Sequence, residues 1–275
     1  MRLVVALLRS SHPEPAAAVT VLLVALAATA GHPPWRLALI AAAVLAGQLS
    51  IGWLNDALDA GRDAAVGRGD KPVVSGAVSV RAVRTAAVVA AVLCVPLSLA
   101  CGLVAGLVHL VAQGAGWAYD LGLKSTPVSV VPYLVCFGLL PAFVVLALPG
   151  TPAPPWWLVA GGALLGAGAH FANVLPDLDD DAATGVRGLP HRLGAAGSRV
   201  AAALLMLAAT AVLALGAPVP APVAVAVPVL AAALLAAGLV LGRRPGSRAP
   251  FRSVLAAAAV AVALLLTAGP ALVTG

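Results

Sequence analysis

Apolar residues run in long unbroken blocks separated by short polar clusters, without the period-two alternation of half-buried strands. Met1 to Pro15 carries Arg2, Arg9, His12 and Glu14 and is too interrupted to span a bilayer. The first block, about Ala16 to Ala30, closes on Ala28-Thr29-Ala30, a tripeptide of the kind that ends a cleavable signal. Later blocks insert by themselves, so this one reads as a retained span. A second block, Trp35 to Leu54, ends in Asn55-Asp56-Ala57-Leu58-Asp59-Ala60-Gly61-Arg62-Asp63. The 37-residue run from Ala82 to Ala118 is too long for one span, and Pro96 near its middle predicts a turn between two. Val128 to Leu148, Trp156 to about Pro176, Arg199 to Gly216 and Val219 to Leu241 follow. A basic loop at Arg243, Arg244, Arg248 and Arg252 precedes a last block reaching about Val273. Nine spans fit, at roughly 20 residues each.

Composition agrees: 62% hydrophobic residues, 9% charged and a mean hydropathy of +1.06 predict an all-α polytopic membrane protein, one domain over residues 1–275. Charge then orients it. With the amino terminus cytoplasmic, fifteen of the sixteen Lys and Arg residues fall inside, Arg36 alone lying outside, and all ten acidic residues fall inside as well. Trp35, Trp156 and Trp157 open their spans from the outer side, as interfacial anchors do. The net charge of +6 is thus explained by topology, and nucleic acid is not an expected partner. Cys94, Cys101 and Cys136 lack metal-ligand spacing and read as small buried hydrophobes. Arg far outnumbers Lys, and Ala, Val and Gly dominate, which suits a high-GC bacterial genome and hence a plasma membrane.

The plan repeats. Residues 1–126 and 127–242 each form a set of four spans with an acidic cluster after the second, and 243–275 add the basic loop and a ninth helix. Two acidic helix ends therefore meet at one membrane face. In the first, Asn55 and Asp59 share a helix face, with Asp56 and Asp63 seven apart on nearly the same one. In the second, Asn173, Asp177 and Asp181 follow at i, i+4 and i+8, with His170 and Asp180 close to that stripe. Gln48 extends the first stripe into the membrane. Asp70, Asp120 and Asp179 read as solvated charges, and His109 as structural.

So many carboxylates repel one another unless cations share the site. Two facing clusters suit hard divalent ions, Mg2+ above all, with positions left for phosphate oxygens. A diphosphate fits between them, and Arg68, Lys71, Lys124, Arg187 and Arg192 are candidates to hold its free edge. The tail of such a substrate is apolar, because the space below is membrane. Ionisation of an allylic diphosphate follows, with water excluded; Trp53, Tyr119, Tyr133, Phe137 and Phe171 are candidates to face the carbocation, ordinary packing or interfacial anchoring being the leading reading for each. His170 and His191 are candidates to bind the acceptor or take its proton, or are structural.

NDALDAGRD with GRGDKPVVSG, then YDLGLK, then NVLPDLDDDAATGVRGLPHRLG resembles the UbiA superfamily of intramembrane prenyltransferases. The likeness covers the whole chain in topology and about sixty residues in motif detail. It implies a nine-helix bundle, an isoprenyl diphosphate donor, a lipophilic or aromatic acceptor and Mg2+. It also implies that Asn55, Asp59, Asp177 and Asp181 hold metal, with Asp56 and Asp63 as supporting carboxylates. By the same resemblance Arg68, Lys71 and Lys124 hold the diphosphate, and Tyr119 is the tyrosine of the intervening loop. The segment PDLDDD is crowded, leaving Asp180 and Asp181 as alternatives, with Asp181 better spaced from Asp177. Two other functions remain: a membrane terpene cyclase, in which the cation is captured within its own chain, and a divalent-cation or organic-anion transporter. Transporters bind near the bilayer midplane, whereas both clusters sit at one edge.

Overall fold

All regular structure in the described part of the chain is helical, as apolar blocks of this length require once no water is present to satisfy backbone groups. The computed structural model describes residues 2–241 and 249–268. Its helices are α1 (Arg2–Arg9), α2 (Pro13–Thr29), α3 (Pro34–Ala65), α4 (Val80–Ala100), α5 (Leu103–Asp120), α6 (Val131–Leu146), α7 (Trp156–Val174), α8 (Leu178–Ala183), α9 (Leu189–Gly216), α10 (Ala221–Leu241) and α11 (Ala249–Thr267). Five stretches among the described residues are long and apolar enough to cross a membrane: α3, α4, α9, α10 and the stretch from Trp156 to Ala183. Arg243, Arg244 and Arg248 of the expected basic loop, and the end of the expected ninth span beyond residue 268, lie outside the described residues.

The expected turn at Pro96 is not there. Pro96 sits inside α4, and the chain breaks at Cys101-Gly102, where Gly102 adopts a φ of 127°. A proline removes one backbone donor, and membrane helices tolerate that loss, whereas a reversal needs a conformation that glycine adopts without strain. A second glycine, Gly194 with a φ of 67°, kinks α9 near its start. The stripe Asn173, Asp177, Asp181 is likewise not on one continuous helix: α7 stops at Val174, a 3-10 turn covers Leu175–Asp177, and Asp181 stands on the short α8.

The helices form a ring. α3 lies along α2, α4 and α5, α6 between α5 and α7, and α9 among α7, α10 and α11; α11 reaches back to α2 and closes the circuit. α6 and α7 cross closely, since a Cβ on Gly162 would strike the Phe137 carbonyl and one on Gly166 the Tyr133 carbonyl. The largest apolar core joins Leu26, Ile40, Phe143, Leu158, Leu213 and Leu264 from six helices. These positions sit toward the end of the bundle away from Asp59 and Asp181. Packing is therefore tight at one end, and the acidic end is left free to hold a cavity. Trp35 and Trp156 are exposed at the tightly packed end, but Trp157 is 6% exposed and packs inward against Gly216, so it is a core residue and not an interfacial anchor.

Candidate active site

A cavity of about 470 Å³ opens among α2, α3, α5, α6, α7 and α9. Its polar rim carries Asn55, Asp59, Arg62, Lys124, Asp177 and Asp181, and its inner wall carries Tyr119, Tyr133, Phe137, Ile51 and Val19. A smaller recess of about 120 Å³ shares the rim and adds Asp63, Arg68, Lys71 and Asp180. The two acidic motifs, 121 residues apart from Asp56 to Asp177, thus face one space.

Asp59 is the hub of the first motif. One turn of α3 puts Asn55 above it and Arg62 below it. Asn55 Nδ2 donates to Asp59 Oδ2 at 3.1 Å, Arg62 Nη2 to the same oxygen at 2.7 Å, and Lys124 Nζ to Oδ1 at 2.6 Å. Arg62 also turns its Nη1 to Asp181 Oδ1 at 3.5 Å, so one guanidinium stands between the two motifs. Arg68 Nη1 approaches Asp177 Oδ1 at 3.7 Å, and His191 Nε2 approaches Asp181 Oδ2 at 3.6 Å. Asp180 is exposed and reaches only the recess, whereas Asp181 lines both spaces.

Asp56 faces away from the large cavity. It is 1% exposed and accepts from Lys71 Nζ at 2.6 Å, with His12 Nε2 at 3.6 Å. That pair fixes the loop bearing Arg68 and Lys71 against α3. Asp63 is buried beside the recess.

Some expected residues stand elsewhere. Arg187 and Arg192 are exposed and line neither space. Trp53 donates its indole N–H to Leu7 O at 2.8 Å and packs under α1, and Phe171 belongs to the core between α7 and α9. Tyr119, Tyr133 and Phe137 do form one aromatic wall, with ring centroids 5.2 Å apart for the tyrosines and 6.0 Å for Tyr133 and Phe137. His170 packs at its edge, 4.8 Å from Tyr133, and Ser129 Oγ lies 3.0 Å from its Nε2. His109 pairs with Ser98 Oγ at 2.7 Å and stacks on Phe143, remote from the cavity.

Asp120 is not a solvated charge. It is 5% exposed on the cavity wall and accepts from Asn55 Nδ2 at 3.0 Å. Its sequence context, one acid in a polar loop, carries no sign of this partner 65 residues away. Arg62 is a second rim residue that the motif does not single out, although its place three residues after Asp59 is a readable signal for a pair on one helix face. His12, at the bend before α2, is a third rim residue that the pattern did not mark.

Apolar helices around one acid- and cation-rimmed, aromatic-walled cavity define a helical membrane enzyme. The chain belongs to the UbiA prenyltransferase family, whose profile matches residues 17–256. No curated protein matches it. Among solved structures it is similar to a UbiA homologue from Aeropyrum pernix K1, with 21% identity and a TM-score of 0.72 over 90% of this chain and 96% of that one. It is also similar to a UbiA homologue from Archaeoglobus fulgidus bound to GPP and Mg2+, with 17% identity and a TM-score of 0.69 over 98% and 100%. A digeranylgeranylglyceryl phosphate synthase gives 14% identity and a TM-score of 0.72 over the same shares.

Proposed function

We propose that the protein is a Mg2+-dependent intramembrane prenyltransferase that ionises an isoprenyl diphosphate and transfers the prenyl group to a lipophilic or aromatic acceptor. The observation that carries this reading is the cavity with a charged rim and an aromatic, apolar interior, shaped for an anionic head and a hydrocarbon tail. Nine spans, a cytoplasmic amino terminus and a cavity opening to the cytoplasmic face of a bacterial plasma membrane complete it. The placement of positive charge and the family's helical fold support that topology.

The donor set fits the metal in a specific way. No group of three His, Cys, Asp or Glu among the described residues is close enough to enclose an ion unaided. Asn55, Asp59, Asp177 and Asp181 instead spread hard oxygens around the mouth, which suits an ion that completes its shell with phosphate oxygens and water. Mg2+, when bound, neutralises the diphosphate and makes it a better leaving group. The chain's own residues do the rest. Lys124, Arg62 and Arg68 exchange their carboxylate partners for diphosphate oxygens, and Lys71, held by Asp56, presents the loop.

The allylic C–O bond then breaks with the electron pair leaving on the diphosphate. Tyr119, Tyr133 and Phe137 face the resulting carbocation and keep water from it. The acceptor's nucleophilic atom forms the new bond and releases a proton.

The deciding experiment incubates the protein in nanodiscs with Mg2+ and geranyl or dimethylallyl diphosphate, with and without phenolic and alcohol acceptors. Prenylated acceptor is the expected product, lost in Asp59→Ala and Asp181→Ala. A cyclic hydrocarbon or alcohol formed from the diphosphate alone would replace transfer with terpene cyclisation. Uptake into liposomes without any turnover would replace both with transport.

A further inference from the structure

The amino-terminal helix poses a problem that the catalytic reading leaves unsolved. α1 is RLVVALLR, and its axis meets that of α2 at 69°, so it lies across the end of the bundle. One edge is partnered: Ala6 and Leu7 pack with Trp53, Ala57, Val73, Val78 and Val83 in a small core of their own. The opposite face is not. Val4, Leu8 and Val5 share an arc of about 100° there and are 59%, 50% and 51% exposed, and Leu3, at the start of the helix, is 56% exposed.

α2 continues from α1 into the bundle, whose outer surface carries Val21, Val88, Val92 and Leu93 at similar exposure. In a membrane protein these side chains meet lipid, and α1 stands where the chain enters that bundle, at the end that carries the polar rim, with its Ala6 and Leu7 edge against α3 and the loop after it. A short helix that turns sideways there, apolar on its free side, has the geometry of an interfacial helix.

We infer that α1 docks on the bilayer surface through Leu3, Val4, Val5 and Leu8, and that this contact holds the mouth of the cavity. Three ties transmit the hold. Trp53 Nε1 donates to Leu7 O at 2.8 Å, Arg9 Nη2 donates to Asp70 O at 3.3 Å, and His12 Nε2 lies 3.4 Å from Lys71 Nζ. His12 enters the rim from a left-handed backbone conformation, φ 53° and ψ 63°, which costs energy in a residue other than glycine and marks the bend as constrained. Asp70 and Lys71 belong to the loop that follows α3, next to Arg68. The bilayer surface thus becomes a support for the loop that presents cations to the diphosphate.

The inference rests on the membrane placement of the bundle, and the test separates the two. The full chain is labelled with an environment-sensitive fluorophore at Val5→Cys, at Leu93→Cys on the outer face of α4, or at Ala77→Cys in the exposed loop. Cys94, Cys101 and Cys136 are buried, which limits background labelling. Nanodiscs of phosphatidylcholine and phosphatidylglycerol carry a headgroup-proximal spin-labelled lipid as quencher, with aqueous iodide as its counterpart. Lipid quenching is expected at positions 5 and 93, and iodide quenching at position 77.

Lipid quenching at position 93 but iodide access at position 5 equal to that at position 77 would overturn the anchor alone. Loss of lipid quenching at both would overturn the membrane placement. Crosslinking of position 5 between two copies in one disc, in place of lipid contact, would assign the face to a second molecule and also overturn the inference. In a second arm, Leu3→Ser with Leu8→Ser is expected to weaken Mg2+-dependent geranyl diphosphate binding at least fivefold in nanodiscs. Unchanged binding would remove the coupling to the mouth.

Discussion

Arg62 on α3 reaches Asp181 on α8, Nη1 to Oδ1 at 3.5 Å, while its other terminal nitrogen binds Asp59. A single side chain therefore bridges the two acidic motifs, one carboxylate from each. Removing it should affect substrate binding more than folding. Arg62→Ala is expected to raise the KM for geranyl diphosphate by roughly thirtyfold, the equivalent of about 2 kcal/mol for a charge-assisted hydrogen bond. Steady-state kinetics with the unfolding temperature measured in parallel checks this. A lowered unfolding temperature with unchanged KM would make Arg62 a structural tie only.

Lys71 and Asp56 give a stability prediction. Lys71→Met leaves a carboxylate that is 1% exposed with only His12 and the Ser10 hydroxyl beside it, and an uncompensated buried charge costs about 3–5 kcal/mol. Adding Asp56→Asn should recover most of that loss. Thermal unfolding of the two single variants and the double variant forms a cycle that measures the coupling, and additive effects would refute it.

Gly162 and Gly166 should resist enlargement. Gly162→Ala and Gly166→Ala each place a methyl against the α6 backbone, which cannot yield as a flexible side chain does. A loss of about 1–3 kcal/mol is expected for each. Gly61→Ala, where a Cβ meets nothing, is the matched control and should be neutral or slightly stabilising.

Metal removal is predicted to act through the ligand and not through the fold. The carboxylates at the rim already have basic partners, so chelation of free divalent ions should leave the unfolding temperature of the ligand-free protein unchanged. The stabilisation produced by geranyl diphosphate should require Mg2+ and vanish with EDTA. A large destabilisation by EDTA without substrate would mean a resident structural ion.

Much of this was legible in the sequence because most of the helices are long apolar blocks set off by short polar clusters. The order of elements followed, and so did the placing of Asn55, Asp59, Asp177 and Asp181 around one space. Local rules failed where tertiary context overrode them. Pro96 looked like a break, but a helix in an apolar setting keeps its remaining backbone bonds, and Gly102 supplied the positive φ that the reversal needed. Trp157 shared the outer-end signature of Trp156, yet the small residue Gly216 made room for it inside. Asp120 was misread because its partner Asn55 lies on another helix, and no spacing within one segment encodes such a pair.

The seam between α11 and α2 joins the last described helix to the first one that enters the bundle. During synthesis the earlier helices can assemble as they emerge, but this contact has to wait until α11 is made. α2 contributes Pro15, Ala16 and Val19 to the cavity wall, so the wall has its final backing only once α11 is in place. Disrupting α11 should therefore loosen, against the support that α3 and α6 give it, a helix that lies far away in sequence and sits directly on the chamber.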